Sequence, residues 1–303
     1  MSELALFVGQ LFNGASVASI FLLAALGLAL SFGLMRVINM AHGEMLMMGG
    51  YVAYLTLKFT PPAYGILIAI PIAFVVSGIA GAILEVLLVH RLASRPLDTL
   101  LATWGVSLCL QQGARSIFGP IGDEVTAPKW LGGAFQVTHG ALNGLSLPYA
   151  RMFIIGFTVV VVAALGLLLV RTRIGLYVRA VTQDRDTAEA MGINIRKIDL
   201  LIFSLGTGLA GVAGVVLAML EPVTPSVGQA YIVPAFLVVI LGGLGSLIGT
   251  TIASVMVGLI SALTQIVWTV SLSKVFLLLF VVAFIQLRPR GVISVRSRAL
   301  EET

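Results

Sequence analysis

Apolar residues run in long unbroken blocks along this chain, without the alternation or three-to-four-residue spacing of a half-buried soluble element. No Asp, Glu, Lys or Arg occurs in 4–35, 59–84, 99–114, 152–170, 200–220, 222–273 or 275–287. A membrane-crossing helix needs roughly 20 apolar residues. The 52-residue block 222–273 therefore holds two spans, with a break near LGGLGSLIGT at 241–250. Segment 37–58 is a further candidate, although it contains His42 and Glu44. The pattern predicts an all-α integral membrane protein: one domain over 1–303, a polytopic bundle of eight to nine transmembrane helices with discontinuous Gly-rich segments. Nine spans fall near 8–32, 38–58, 64–90, 98–117, 152–170, 199–220, 230–246, 248–268 and 272–287. In the eight-span alternative, 38–58 crosses only in part.

Composition agrees. Of 303 residues 59% are hydrophobic and 10% charged, where soluble domains run near 25% charged. The opening MSELAL has no basic stretch, so no cleaved signal peptide is expected. A single cysteine, Cys109, excludes an internal disulfide and a multi-cysteine metal site. The net charge of +5 reflects topology, and no nucleic-acid partner is expected. With the N-terminus outside, 13 of 18 basic residues face the cytoplasm: Arg36, Arg91, Arg95, six bases in 171–199, Arg288, Arg290, Arg296 and Arg298. Lys58, Arg115, Lys129, Arg151 and Lys274 fall outside. The positive-inside rule favours this orientation, with a cytoplasmic C-terminus, in a cell (inner or plasma) membrane. The longest external loop, 118–150, is rich in Gly and Pro and carries Trp130. No polar segment exceeds about 35 residues, too short for a core of its own.

Polarity concentrates in one internal loop. Residues 171–199, RTRIGLYVRAVTQDRDTAEAMGINIRKID, hold ten of the 31 charged residues. Asp184 or Asp186 can cap a helix start. Ala188, Glu189, Ala190 and Met191 are good helix formers, and Gly192 supplies a stop. Ile193 and Ile195 follow as exposed apolar knobs beside Arg196 and Lys197. A short surface helix with apolar knobs and a charged rim suits docking to a soluble partner. It also suits a juxtamembrane helix resting on anionic lipid headgroups.

Candidate chemistry is sparse. None of the four lysines, Lys58, Lys129, Lys197 and Lys274, follows a glycine, so a Gly-Lys-Ser/Thr phosphate loop is missing and any ATP must be bound by another chain. There is no His-Glu-x-x-His and no Gly-x-Ser-x-Gly, which leaves enzymes without a constellation. Thr99, Thr103, Ser107 and Gln111 recur every four residues and form one neutral polar ridge. Lipid cannot satisfy them, so the ridge faces protein or water. It is either a path for a small neutral polar solute or helix–helix hydrogen bonding. Asn39, His42 and Glu44 either brace a helix break or line a cavity. Segment 33–50 and segment 241–249, with Gly242, Gly243 and Gly245, are both Gly-interrupted and lie in opposite halves. Transporters place sites at such paired broken helices, although glycine is also common in membrane helices generally. Residues 204–214 carry small residues four apart, fit for tight internal packing or a subunit interface.

The chain resembles the permease subunits of branched-chain amino-acid and urea ABC importers. The resemblance spans nearly its whole length and rests on GLMRVINMAHGEMLMMGGYVAY (33–54), TQDRDTAEAMGI (182–193), GLAGVAGV (208–215), GGLGSLIG (242–249) and LRPRG (287–291). Within that family, RPLDTLLATWGVSLCLQQGARSIFG (95–119) and EVTAPKWLGG (124–133) look most like the urea type. Val292-Ile293 depart from the more common Leu-Phe. The resemblance implies a half-translocator with no catalytic residue and no cofactor of its own. Its partners would be a second homologous permease, two cytoplasmic ATP-binding subunits that carry ATP and Mg, an external (periplasmic) solute-binding protein and membrane lipid. It makes Asp184, Arg185, Asp186, Glu189, Ala190, Met191, Gly192 and Ile193 the coupling segment. The solute would be urea, or alternatively a branched-chain amino acid. A stand-alone channel or secondary transporter is the reading from a different class.

Overall fold

In the computed structural model, which describes residues 3–61, 63–93, 95–138, 143–288 and 291–293, helices occupy all nine expected segments. They are α1 (Glu3–Met35), α2 (His42–Phe59), α3 (Gly65–Leu84), α5 (Pro96–Phe118), α6 (Tyr149–Arg171), α9 (Ile195–Ala218), α10 (Val227–Gly242), α11 (Leu247–Val267) and α12 (Val270–Leu287). Helix α3 runs through a π-helical turn at Glu85–Val89 into the short α4 (His90–Leu92). Between α6 and α9 lie α7 (Arg173–Gln183) and α8 (Arg185–Ala190). Six helical stretches are long and apolar enough to cross a membrane: Leu4–Met35, Gly65–Leu92, Tyr149–Arg171, Ile195–Ala218, Leu247–Val267 and Val270–Leu287. The chain is thus an all-α multi-pass membrane protein. By length and apolarity, six of the described helical stretches qualify as crossings, and the other three expected spans do not meet both criteria. Helix α5 misses because its ridge is polar, α2 because it opens with His42 and Glu44, and α10 because it has only 16 residues.

Helix α2 starts inside the bundle. The connection 36–41 leaves α1 at Arg36, a non-glycine residue with φ of 54°, and turns back inward. The Met40 amide reaches Thr103 Oγ1 at 3.1 Å, about two turns into α5. His42 Nε2 donates to the Ala24 carbonyl at 3.1 Å, about three turns from the end of α1. Irregular backbone at this depth survives only where protein satisfies it. Here Thr103 and the Asn39 side chain (3.0 Å to the Ala41 amide) do so, while the His42 side chain pins the start of α2 to α1.

The two central helices are α1 and α9, most of whose residues are buried, whereas few residues of α6 and α12 are. Small residues explain the centre. A Cβ on Gly27 would overlap the Gly206 carbonyl, and one on Gly49 the Gly211 carbonyl. A Cβ on Gly43 would stand 2.5 Å from the Gly228 carbonyl. Helix α9 therefore touches α1 and α2 backbone to backbone. Gly208 and Gly211 also take Phe74 and Ser77 of α3. The small residues of 204–214 thus serve internal packing.

At the end of the bundle away from 171–199, β1 (Ala134–Gln136) pairs antiparallel with β2 (Ser146–Pro148). Asp123 bridges to Val223, and the Trp130 indole N–H donates to the Ala63 carbonyl at 2.8 Å. At the other end the two Gly-interrupted segments meet, with Gly33 against Gly245. Arg290, Arg296 and Arg298 lie outside the described residues.

The packing makes a differential prediction. Gly49→Ala forces α2 from α9 and should cost about 1–3 kcal/mol, the range for overpacking. Gly156→Ala on α6, where an added Cβ meets nothing within 4 Å, should be neutral. Thermal unfolding of the two purified variants in one detergent checks this; equal midpoints would refute the packing argument.

Candidate functional site

The charged loop folds into two helices rather than one. Thr172 Oγ1 accepts from the Gly175 amide at 3.3 Å and starts α7, and Arg179 turns back to donate to the Leu169 carbonyl. Helix α7 was legible in the amphipathic run RIGLYVRAV, but the caps around 184–193 drew the whole expectation to the second helix. There Asp184 is the cap, its Oδ1 accepting from the Thr187 amide at 3.0 Å. That hydrogen bond holds the Asp184 carboxyl below the usual carboxylate range. The cap is therefore intact above that range and is lost as pH falls through the lowered value. Asp186 does not cap.

The far end of α8 closes as a Schellman motif. The Gly192 amide donates to the Glu189 carbonyl at 2.9 Å and the Ile193 amide to the Ala188 carbonyl at 3.1 Å. Gly192 has φ of 85°, a conformation that suits glycine. This closure folds Ile193 back against Val181, Ala188 and Ile198, with Ile195 half-buried beside it. The expectation of Ile193 and Ile195 as exposed knobs is corrected: the exposed apolar side chain is Met191, 79% accessible. Asp186, Glu189 and Ala190 are exposed around it.

Arg185 points the other way, into an open cleft of about 1020 Å³ between the loop and the end of α1. It donates to the Leu34 carbonyl at 3.0 Å and to Asp199 Oδ2 at 2.5 Å. Asp199 was missed as a site residue, because it reads as the boundary of a charge-free run. Glu85 was missed as well. It is buried in the π-helical turn, 3.8 Å from His90 Nδ1, and such turns mark functional or strained positions.

Deeper in the bundle, the ridge on α5 is buried at all four positions. Thr99 Oγ1 donates to the Leu92 carbonyl at 2.7 Å. Thr103 Oγ1 accepts from Met40. Ser107 Oγ and Gln111 Nε2 donate to Glu44 Oε1 at 2.9 and 2.7 Å. In this conformation the ridge is closed off from solvent; Thr103, Ser107 and Gln111 hydrogen-bond α5 to the start of α2, and Thr99 bonds it to α4. Asn39, His42 and Glu44 all sit at that start and make bracing bonds across it. Gly243 and Gly245, with φ of 99° and 81°, break the chain between α10 and α11. Gly242 packs on Gly249 and Thr250. The Val292 and Ile293 amides donate to the Leu241 and Gly242 carbonyls at 2.8 and 3.2 Å, closing the end of α10. None of the described His, Cys, Asp and Glu residues form a group of three able to hold a metal.

The model of the family "Branched-chain amino acid transport system / permease component" matches residues 10–285. The high-affinity branched-chain amino acid transport system permease protein BraD of Pseudomonas aeruginosa is 29% identical, over 97% of this chain and 98% of its own length. The corresponding permease protein LivH of Escherichia coli K12 is 29% identical over 95% and 96%. The ribose import permease protein RbsC of Escherichia coli K12 is 27% identical over 84% and 77%. No solved structure matches. These relatives support the family; they do not support the urea type within it.

Removing both donors from Glu44 with Ser107→Ala and Gln111→Leu should cost about 1–3 kcal/mol, the penalty of stranding a buried acceptor. Adding Glu44→Gln to that pair should return part of the loss. Unfolding midpoints of the three proteins test this, and a triple variant less stable than the double would contradict it.

Proposed function

Because the chain belongs to the family of branched-chain amino acid transport system permease components, we propose that it forms half of the membrane pathway of an ATP-driven importer of branched-chain amino acids. The reading is carried by similarity over 97% of the chain to a permease named for that transport. It replaces urea as the solute. Urea rested on 95–119 and 124–133, and the ridge within that stretch is occupied by Glu44 and the 36–41 connection.

In this proposal the N-terminus is external and the loop and C-terminus are cytoplasmic. A second homologous permease completes the pathway, two ATP-binding subunits carry ATP and Mg, and an external binding protein delivers the solute. The segment 184–193 is the coupling element. Its caps at Asp184 and Gly192 give it a fixed shape, and Asp186, Glu189, Ala190 and Met191 form the face offered to the ATPase. Ridge residues Thr103, Ser107 and Gln111 form the seam between α5 and the start of α2 along which the bundle changes state, and Thr99 ties the beginning of α5 back to Leu92. ATP can shift that equilibrium only by contacting the two states differently.

Uptake of labelled leucine against labelled urea, in cells carrying the complete transporter, tests the solute. ATP-dependent uptake of leucine and not urea is expected, and the reverse outcome would reject the proposal. Gly192→Pro removes the donor to Glu189 and demands a negative φ, and Glu189→Arg inverts the rim charge. Each should lower uptake by about tenfold or more, equivalent to ~1.4 kcal/mol, with the bundle still assembled. Normal uptake by both would remove the coupling role. Failure of the chain to co-purify with ATP-binding subunits in mild detergent would favour a stand-alone channel or secondary transporter.

A further inference from the structure

Helix α8 has two kinds of attachment to the bundle. One is apolar: Ala188, with Ile193 just beyond the end of α8, belongs to one cluster with Val181, Ile198 and Ile202. The other is Arg185. Among the described residues, its side chain makes the only hydrogen bonds from α8 to α1 or α9. It spans the cleft that otherwise separates the loop from Gly33, Leu34, Met35 and Arg36.

Both acceptors suit a cation. Leu34 lies in the last turn of α1, a helix of 33 residues. Its carbonyl has no helical donor four residues on, because the helix ends at Met35. Carbonyls at that end carry the negative pole of the helix and favour a positive side chain. Asp199 sits about one turn into α9 and is 5% exposed. A guanidinium offers several N–H groups in a rigid plane, so one side chain can hold both acceptors at once. Lysine, a single point charge, holds such a pair less well.

We propose that Arg185 is the positioning residue that ties the coupling helix to the two central helices, with Asp199 as its anchor. The proposal rests on the reading that 184–193 receives the ATPase stroke, and it specifies where that stroke goes. Without the tie, the open cleft takes up part of a displacement of α8, and only the apolar contact carries the rest to α9. With it, the displacement reaches the end of α1 and the first turns of α9 together. Those two helices are packed backbone to backbone at Gly27 and Gly206, so they carry the movement to the start of α2, where His42 bonds Ala24.

The test uses the complete transporter in proteoliposomes. Arg185→Gln, Arg185→Lys, Asp199→Asn and the double variant Arg185→Gln with Asp199→Asn are compared with wild type at matched amounts of assembled complex. Uptake of labelled leucine is measured across concentration. For Arg185→Gln and Asp199→Asn, maximal uptake should fall about tenfold, within the usual range of coupling between two sites, with half-saturation unchanged. Arg185→Lys should be intermediate. The double variant should be no worse than the poorer single variant, because one linkage is removed twice. Wild-type rates in the variants, or losses that multiply in the double variant, would overturn the tie. A second measurement is independent of import: hydrogen exchange in the 184–193 peptide should accelerate in Arg185→Gln. Unchanged exchange would overturn the proposal even where uptake falls. If wild type imports no leucine, the import reading fails while the exchange comparison still decides the tie.

Discussion

The bundle depends on helix α9 approaching its neighbours closer than any side chain would allow. Gly206 lies on Gly27 of α1, Gly211 on Gly49 of α2, and Gly214 on the Leu46 carbonyl of α2. Lipid tails are as apolar as leucine, so burying leucine between helices gains little in a membrane; close packing and hydrogen bonds hold helices together instead. Three contacts along one helix fix the spacing and register of α1, α2 and α9 at once. They also set where His42 goes, because its ring packs over Gly27, beside the carbonyl of Gly206.

That close centre makes an interrupted backbone affordable in the membrane. Every described break finds protein partners. The turn into α2 uses Asn39, Thr103 and Ala24. The Ser77 hydroxyl donates to the Met45 carbonyl at 3.1 Å, joining α3 to α2. Glu44 takes the amide of Gln111 and the hydroxyl of Ser107. The end of α10 receives the amides of Val292 and Ile293. Polar side chains in this protein are therefore spent chiefly on backbone and on one another. The four ridge residues follow the same rule in this conformation, with their polar groups on the Leu92 carbonyl, the Met40 amide and Glu44.

The sequence made the helices legible because unbroken apolar blocks carry that information locally. It also made the caps of α8 legible, since Asp184 and Gly192 act within a few residues of themselves. What it hid is long-range pairing. The spacing of Thr99, Thr103, Ser107 and Gln111 announced a ridge, but its partner Glu44 lies 63 residues before Ser107. The glycines of 208–214 announced close packing without naming Gly49 or Ser77. Asp199 looked like the edge of a loop because its role needs Arg185, 14 residues earlier and on another helix. Ile193 and Ile195 were misplaced for a related reason: the left-handed glycine at 192 reverses the chain, so the residues after it face the bundle.

A centre joined in this way leaves few places for a change of state. The pairs Gly27–Gly206 and Gly49–Gly211 resist sliding, since moving either helix by a residue brings a Cβ onto a carbonyl. The two interruptions are different. Arg36 on one side, and Gly243 and Gly245 on the other, hold left-handed backbone, and the segments touch at Gly33 and Gly245. Neither lies within a helix that must stay continuous. Leu34, which Arg185 holds, is one residue from Gly33 and two from Arg36. In the proposed coupling, a force applied through α8 arrives beside the contact where both interruptions meet.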